Sequence, residues 1–350
     1  MRTFCAQSYV IKCIDKQELV DLIIALDAMG GDNAPRDIVR GAVLASKKIS
    51  GKILLVGDKT QINTHLGDSE YDKSKIEVIH TTEVITNEDK PTMAIKKKKD
   101  SSLVKCFDLI LEHKADAMVS AGSTGALLVG AVHFLKRIKG ISRPALAPFV
   151  PNAKNGFLIV DGGANTNTKP ENLLQFAVMG SVYAKNVLKR LNPTVGLLNI
   201  GTEEAKGNEL AKSTFSLLSE SNLNFVGNVE ARDTLSGLID VVVCDGFAGN
   251  VLLKAIEGTA MTLFTDVKEM FLKNVSSKIA ALMLKSGIKE LKDKYDYREY
   301  GGAPFLGVGS PVIKAHGTSD AKSISSAVLQ ANEFAESRAL DELEEQIGLL

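Results

Sequence analysis

Residues 22–35 read LIIALDAMGGDNAP, an apolar run that passes into a turn with two glycines and two aspartates. The run Leu22–Leu26 has the aliphatic character of a buried strand, and the residues from Pro35 onwards have helical spacing. α/β proteins keep their phosphate-binding loops at such strand-to-helix turns. This turn nevertheless lacks the spacing of a nucleotide fingerprint, so its ligand must be inferred from the rest of the chain.

Apolar runs recur along the chain, and longer stretches with helical periodicity separate many of them. This alternation predicts a mostly parallel sheet with helices on both faces, a three-layer α/β/α sandwich in one unit. The other apolar runs are Ile53–Val56, Ile76–Ile79, Ala117–Val119, Phe157–Val160, Val195–Ile200, Asn224–Val226 and Val241–Cys244. The helical stretches include Pro35–Lys48, Ser123–Arg137, Glu171–Leu191 and Glu203–Glu220.

Four more runs end in a turn of the same kind, at 121–125, 161–169, 201–209 and 245–250. In a parallel sheet, these turns lie along the carboxyl edge, where ligands bind. Glycines let the backbone approach a ligand closely, and helix N-termini attract anions. Glycine and asparagine are also ordinary turn and cap residues, so a single turn of this kind has little meaning. Five of them predict an anion-binding cleft.

The same residues exclude several classes of protein. No GxxxxGK[ST] or strand-linked GxGxxG occurs, and Ala121 at the first position of AGSTG breaks the GxSxG pattern. The four cysteines and five histidines have no metal-ligand spacing, so we expect no metal or cofactor and reduced thiols in a cytoplasmic protein. Lys plus Arg and Asp plus Glu both number 42, which predicts no nucleic-acid partner. No apolar run approaches the roughly 20 residues of a membrane span.

Seven longer motifs resemble the bacterial phosphate acyltransferase family. They are DAMGGDNAP from residue 27, SAGSTGAL from 120, RPALAP from 143, VGLLNIGTEEAKGNEL from 195, FVGNVEARD from 225 and VVCDGFAGNVLLKAIEG from 242. The seventh has two parts, YGGAPFLGV from residue 300 and VIKAHGTSDAKSI from residue 312. The resemblance implies transfer of an acyl group from acyl carrier protein to inorganic phosphate, which gives the acyl phosphate used to acylate glycerol 3-phosphate. It also implies a homodimer with a fold related to phosphotransacetylase and isopropylmalate dehydrogenase.

The chain departs from this family in two places. The family usually begins near Ile23, so residues 1–22 are an extension of unknown role before a single domain at 23–350. The family commonly has Asn at the position of Ser123, which puts an amide-specific role there in doubt. Ser123 is better interpreted as a helix cap or phosphate ligand than as a nucleophile.

Phosphate is already an anionic nucleophile, so its attack on a thioester needs positioning and oxyanion donors, with no metal and no covalent intermediate. His316 is a candidate to protonate the departing thiol, or a structural histidine bonded to backbone. Lys206 and Asn199 are the other catalytic candidates. The candidate phosphate or substrate residues are Asp27, Gly30, Gly31, Asp32, Asn33, Gly122, Ser123, Thr124, Gly125, Asp161, Asn165, Lys169, Gly201, Thr202, Asn208, Asp245, Gly249, Asn250 and Lys254.

Two surface features suggest partners. Lys96, Lys97, Lys98 and Lys99 are either a solvated face or a docking patch for the acidic acyl carrier protein. Residues 259–295 predict a projecting amphipathic helical hairpin interrupted at Ser286-Gly287, with the stripe Phe271, Val275, Ile279, Leu282 and Met283. The stripe predicts either a dimer contact or a tip that rests on the membrane. The tip residues are Ile279, Leu282, Met283 and Lys285. At the membrane, a glycerol-3-phosphate acyltransferase would consume the product.

Two rival functions remain open. A phosphotransacetylase-like enzyme would use acyl-coenzyme A with the same fold and nucleophile. A non-catalytic membrane scaffold is the second alternative, and the polar residues of the turns argue against it because a scaffold does not require them. A dehydrogenase of the related fold is disfavoured, because the sequence has neither a carboxylate set for a divalent metal nor a dinucleotide fingerprint.

Overall fold

The computed structural model describes residues 21–67, 69–295 and 300–349, so nearly all of the predicted extension at 1–22 lies outside the described residues. Leu22 already belongs to the fold, because it is buried and its carbonyl accepts from the N–H of Lys52 at 2.9 Å. Cys106 and Cys244 are buried free thiols. In the described part of the chain, no helix is both long and apolar enough to cross a bilayer.

The first sheet has seven strands in the order β3-β2-β1-β4-β12-β11-β5. Five of them are parallel, and β11 is antiparallel to both of its neighbours. The strands are β1 (Ile23–Asp27), β2 (Lys52–Gly57), β3 (Ile76–His80), β4 (Ala117–Ser120), β5 (Ala145–Leu146), β11 (Ala303–Leu306) and β12 (Val312–Lys314).

The second sheet has five strands in the order β6-β7-β10-β8-β9, and all but β6 are parallel. They are β6 (Phe149–Val150), β7 (Phe157–Val160), β8 (Val195–Asn199), β9 (Phe225–Glu230) and β10 (Val241–Val243). All eight strands predicted from the sequence are present, and β5, β6, β11 and β12 are additional.

One extended segment, residues 145–150, connects the two sheets. Leu146 pairs with Phe305 in the first sheet, and Phe149 pairs with Leu158 in the second. Pro148 lies between them and has no N–H with which to continue a ladder, so the strand changes sheet there. The predicted mostly parallel α/β sandwich is confirmed, and its strands form two connected sheets.

Helices cover both faces of each sheet. Ile24 and Leu26 of β1 pack into the same core as α1 and α11, whereas Ala25 between them faces α4. The helices are α1 (Arg36–Ser46), α2 (Lys59–Gly67), α3 (Pro91–Lys97), α4 (Ser102–Leu111), α5 (Thr124–Gly130), α6 (Pro170–Asn186), α7 (Glu209–Ser219), α8 (Gly246–Leu272), α9 (Val275–Met283), α10 (Lys285–Tyr295), α11 (Ala321–Glu336) and α12 (Ala339–Ile347). A π-helical turn at Ala131–Leu135 extends α5, and a 3₁₀ turn spans Ala231–Ser236.

Two predicted helix boundaries were wrong. Helix α7 begins at Glu209 and not at Glu203, because Gly207 has φ +92° and Asn208 caps the helix by accepting from the Ala211 N–H at 2.9 Å. The predicted interruption at Ser286-Gly287 lies inside α10, since an exposed glycine is tolerated in a helix. The chain breaks instead after α8, where Asn274 caps α9, and at Leu284.

Candidate functional site

The carboxyl ends of β1 and β4 meet around a buried carboxylate. Asp27 is 2% exposed, and its Oδ2 accepts from the Ser120 hydroxyl at 2.6 Å. Burial raises the pKa of this carboxyl, although the nearby Ser102 and Ser120 hydroxyls oppose the rise. A side chain at Gly30 would meet both Asp27 and the backbone of Gly122, so glycine is required for the two turns to pack.

A buried lysine, which the sequence reading did not select, lies beside this carboxylate. Lys314 ends β12 opposite Ser120, is 9% exposed, and donates through Nζ to the carbonyls of Ala121 (3.1 Å) and Ala315. Burial lowers its pKa to about 8, although the nearby carboxylates of Asp27 and Asp32 favour its charged form. Lys314 therefore places a positive charge between two of the turns.

The loop 316–319 after β12 is held against the turn at 30–33. The Asp32 N–H donates to the Gly317 carbonyl at 2.8 Å, and the Asn33 amide donates to the carbonyls of Thr318 and Ser319, each at 3.2 Å. Gly31 has φ +104°, a conformation that glycine adopts most readily. The amide of Asn33 therefore joins two loops that lie 285 residues apart in the chain.

His316 lies at the surface of this group of turns. Its Nδ1 is 2.9 Å from the Thr318 hydroxyl and 3.3 Å from the Thr318 backbone nitrogen, whose N–H it accepts. Burial lowers the pKa of His316, and the charges of Lys254 and Lys314 lower it further. A neutral imidazole that accepts at Nδ1 carries its proton on Nε2, where it is a hydrogen-bond donor and not a strong acid.

The turn after β7 is built around a second buried carboxylate. Asp161 Oδ1 accepts from the N–H groups of Leu146, Gly163 and Ala164 at 3.0–3.1 Å. Its Oδ2 accepts from the backbone and the amide of Asn165, at 2.7 and 2.8 Å. Burial raises the pKa of Asp161. This carboxylate organises the turn and has little capacity left for a ligand.

The start of α8 closes against the same turn. The Gly246 N–H donates to the Asn165 carbonyl at 2.7 Å, and the Asn250 amide donates to the Gly162 carbonyl at 3.3 Å. Asp245 caps α8 by accepting from two backbone N–H groups, and a side chain at Gly249 would collide with the Asp161 carbonyl. The turns at 161–169 and 245–250 therefore form one unit.

Two positively charged residues of this second group are exposed. Lys254 forms an ion pair with Glu257 at 2.6 Å, and its positive charge is close enough to His316 to lower the pKa of that imidazole. Lys169 precedes α6, and its N–H donates to the Asn172 side chain at 2.9 Å. The hydroxyl of Thr168 beside it is buried with no hydrogen-bond partner in the described chain, which marks a polar position open to a ligand or water.

The turn at 201–208 lies one strand farther along the second sheet. The Asn199 amide donates to the Lys206 carbonyl at 3.1 Å, and its oxygen accepts from the Ile200 N–H. Lys206 and Thr202 are exposed, and the Lys206 side chain lies over Gly201. For the residues that the structure describes, the hydrogen bonds of this turn stay within it or go to β9 and α7, so it shares none with the other four turns.

Most side-chain amides and carboxylates of the five turns are thus used to build the turns. What remains for an anion is the charge of Lys314, Lys169 and Lys254 and the backbone of the helix starts. At the start of α5, Ser123 occupies the cap position without a side-chain capping bond, so its hydroxyl and the first-turn N–H groups, including those of Thr124 and Gly125, are not used in capping. Among the described residues, no group of three or more His, Cys, Asp or Glu side chains is placed to hold a metal ion.

The lysine run lies next to this site. Pro91 at the start of α3 contacts Gly125, and the run leads to Ser101, which caps α4. Lys98 donates to Asp89 at 2.6 Å and to the Val84 carbonyl at 2.8 Å, which supports the local fold. The other three lysines, Lys96, Lys97 and Lys99, are exposed.

The helical excursion from α8 to α10 presents an apolar surface on this single chain. No residue of α9 is buried, and Leu282 and Met283 are 72% and 80% exposed. The excursion returns to the second sheet where Lys294 donates to the Ala153 carbonyl at 2.7 Å and Tyr300 stacks on Phe149. It is anchored at both ends and exposed between them.

Comparisons with known proteins show the family of this chain. Residues 22–341 match the profile of the family described as fatty acid synthesis protein. A phosphate acyltransferase from Alkaliphilus oremlandii is 53% identical over 327 residues, covering 93% of this chain and 98% of the relative. One from Acetivibrio thermocellus is 51% identical over 326 residues, covering 93% and 96%.

Solved structures share the fold at low identity. A phosphotransacetylase from Streptococcus pyogenes aligns with a TM-score of 0.62 at 16% identity, covering 90% of this chain and 94% of that one. A branched-chain phosphotransacylase from Enterococcus faecalis aligns with a TM-score of 0.55 at 14% identity, covering 90% and 99%. These likenesses confirm the α/β architecture.

Proposed function

This chain belongs to the fatty acid synthesis protein family and is an acyltransferase, and from that premise we propose that it transfers a fatty acyl group from acyl carrier protein to inorganic phosphate. The product is an acyl phosphate for the acylation of glycerol 3-phosphate. Family membership supports the acyl donor, and the charged turns at the carboxyl edges support the phosphate.

In the proposed reaction, a phosphate oxygen attacks the thioester carbonyl directly. The new C–O bond forms, the C–S bond breaks, and the carrier leaves as a thiolate that takes a proton. Catalysis then consists of holding phosphate near the carbonyl and donating hydrogen bonds to the developing oxyanion. It uses no metal, no cofactor and no covalent enzyme intermediate.

The observation that carries the proposal is the buried ammonium of Lys314 among the glycine turns. A lysine that is 9% exposed lies at the meeting point of three chain segments, beside Asp27 and Ser120. A buried cation is costly unless an anion compensates it. Asp27 and Asp32 supply part of that compensation, and phosphate bound against this cluster and the start of α5 would add to it.

The other candidates take secondary roles in this mechanism. His316, neutral at pH 7, donates a hydrogen bond from Nε2 to the reacting groups, because its lowered pKa disfavours a role as general acid. Lys206 and Lys254 add positive potential at the edge of the site. Asn199, a catalytic candidate from the sequence, is given a positioning role in the turn at 201–208, because its amide donates to the Lys206 carbonyl.

Docking of the carrier protein uses the three exposed lysines of the run. Lys96 and Lys97 end α3, and Lys99 lies between α3 and α4, on a stretch of chain that contacts the site through Pro91. Positive charges beside a cleft speed the association of an acidic partner.

The apolar surface of α8 to α10 supports a homodimer and a peripheral contact with the membrane. Exposed apolar side chains grouped on one helical segment generally mark an interaction site. We propose that a second subunit covers part of it and that the tip at Ile279, Leu282, Met283 and Lys285 rests in the lipid interface. There the acyl phosphate would reach the glycerol-3-phosphate acyltransferase of the membrane.

The test is to incubate the protein with acyl-carrier-protein thioester and to trap acyl phosphate with hydroxylamine. Phosphate-dependent release of carrier thiol with an equal yield of hydroxamate is expected, with or without a chelator. Equal or faster turnover of acyl-coenzyme A would favour the phosphotransacetylase-like alternative. No release from either donor would favour the scaffold.

A further inference from the structure

A second feature of the carboxyl edge is a cleft of about 300 Å³ between α5 and the segment before β5. Its walls combine aliphatic side chains with two arginines, and it ends at the turn after β7, within the proposed active site. The lining residues are Leu128, Val132, Arg137, Ser142, Arg143, Pro144 and Asn165.

The segment that carries Arg143 is fixed on both sides. The backbone N–H and hydroxyl of Ser142 donate to the Gln175 side chain at 3.0 and 2.7 Å, and the Asn172 amide donates to Ser142 at 2.6 Å. On the other side, the Asn165 amide donates to the Pro144 carbonyl at 2.7 Å. The backbone at Arg143 is therefore held against α6 and against the site.

The two arginines of the cleft differ in what they bind. The Arg137 guanidinium donates to the Ser142 carbonyl and so supports the wall. Arg143 is exposed and makes no hydrogen bond or ion pair with any residue in the described ranges 21–67, 69–295 and 300–349. A guanidinium held on a rigid loop without a protein partner is suited to bidentate binding of a phosphate group.

Two aliphatic side chains from α5 and its extension also line the cleft. Leu128 belongs to α5, and Val132 belongs to the π-helical turn that extends it. Such turns are frequent at functional sites because they displace side chains from the regular helical register. The occupant that fits has low polarity along its length and an anionic group at Arg143.

We propose that this cleft binds the phosphopantetheine arm of the acyl donor, and that Arg143 binds its phosphodiester. The inference rests on the proposed function, because the arm carries the thioester in that reaction. It gives Arg143 a role in donor binding that is separate from the binding of inorganic phosphate at Lys314. Carrier protein and coenzyme A share this arm, so the proposal concerns the chemistry common to both.

The test compares Arg143→Ala with Arg143→Lys and with the control Arg40→Ala, whose arginine is exposed on α1. Loss of a bidentate charged contact should raise the KM for acyl-carrier-protein thioester roughly tenfold or more in Arg143→Ala. Arg143→Lys should recover part of the loss. The KM for phosphate, and turnover of an acyl N-acetylcysteamine thioester that lacks a phosphodiester, should not change.

Three results would overturn the inference. A raised KM for phosphate in Arg143→Ala would show that Arg143 binds the phosphate nucleophile. Equal losses of activity with both thioesters would show that Arg143 has a structural role. Wild-type kinetics with both thioesters would show that Arg143 does not belong to the site. Titration of wild type and Arg143→Ala with phosphopantetheine, followed by NMR, requires no turnover. If the wild type binds phosphopantetheine more tightly than Arg143→Ala but forms no acyl phosphate, the proposed function is wrong and the binding role of the cleft is supported. If both proteins bind phosphopantetheine equally, the cleft does not bind the arm through Arg143.

Discussion

At the residue scale, the candidate site depends on the protonation of Lys314. Its pKa of about 8 lies below the ordinary lysine value of roughly 10.4, so the side chain is charged at pH 7 and loses its charge as the pH rises through 8. The titratable groups around it are Asp27, Asp32 and His316. His316 has a lowered pKa and is already neutral in that pH range.

We therefore expect the KM for phosphate to rise above about pH 8 in the wild type. Lys314→Arg remains charged and should flatten this rise, and Lys314→Met should have a high KM at every pH. Initial-rate kinetics from pH 6.5 to 9.5 measure the effect, with circular dichroism to confirm folding of each variant. A wild-type KM that is constant across this range would exclude Lys314 from the phosphate site.

Lys206 tests whether the separate turn at 201–208 takes part. Lys206→Ala should raise the KM for phosphate or lower kcat without unfolding the protein, because Lys206 adds positive potential at the edge of the site. The matched control is Lys212→Ala, which removes an exposed lysine from the neighbouring helix α7. If the two variants have the same kinetics as the wild type, Lys206 does not belong to the site.

The sequence predicts the site turns better than it predicts the roles of their side chains. Apolar runs followed by glycine mark the ends of β1, β4, β7, β8 and β10, because local composition decides those positions. The use of Asn33 and Asp161 depends on partners elsewhere in the fold, which no local pattern shows. Lys314 was missed because β12 is only three residues long, although the quoted motif VIKAHG contained it.

At the scale of elements, the segment from α3 to α4 and the excursion from α8 to α10 carry the proposed contacts with partners. The first is tied to the site through Pro91 and Ser102. The second was predicted as a projecting hairpin, and the structure has three helices there with breaks after Leu272 and at Leu284. Helical periodicity predicts such helices, whereas caps such as Asn274 decide where they end.

Reversal of Lys96, Lys97 and Lys99 to Glu should weaken binding of acyl carrier protein and reduce its salt dependence. Steering by exposed charges is screened over roughly 8–10 Å at physiological salt. The control reverses Lys47 and Lys48, which are exposed after α1. Surface plasmon resonance at several salt concentrations measures binding, and a small acyl thioester reports on chemistry. Equal loss with both donors would show that the lysines serve the fold or the phosphate.

Leu282→Glu should release the protein from anionic vesicles in a flotation assay while acyl transfer in solution continues. The change removes an apolar tip residue and adds a charge that anionic lipids repel. Leu191→Glu is the matched control, because Leu191 is 96% exposed far from the tip in sequence. Continued flotation of Leu282→Glu would show that the tip is not the anchor, and loss of the dimer would identify a subunit contact.

At the scale of the whole molecule, two connected sheets bring turns from both carboxyl edges into one region. Leu146 belongs to the strand that joins the sheets, and its N–H also binds Asp161, so the connection and the site share a residue. Alternating strands and helices were enough to predict the α/β class. The division into two sheets was not predictable, because it depends on the two-residue strands β5 and β6 around Pro148.

A crystal structure of the protein with bound inorganic phosphate tests the central claim most directly. We expect phosphate at the first turn of α5, within hydrogen-bond or ion-pair distance of Lys314, and absent from the same site in Lys314→Met. Phosphate bound only at the separate turn by Lys206, or retained unchanged in Lys314→Met, would contradict the account.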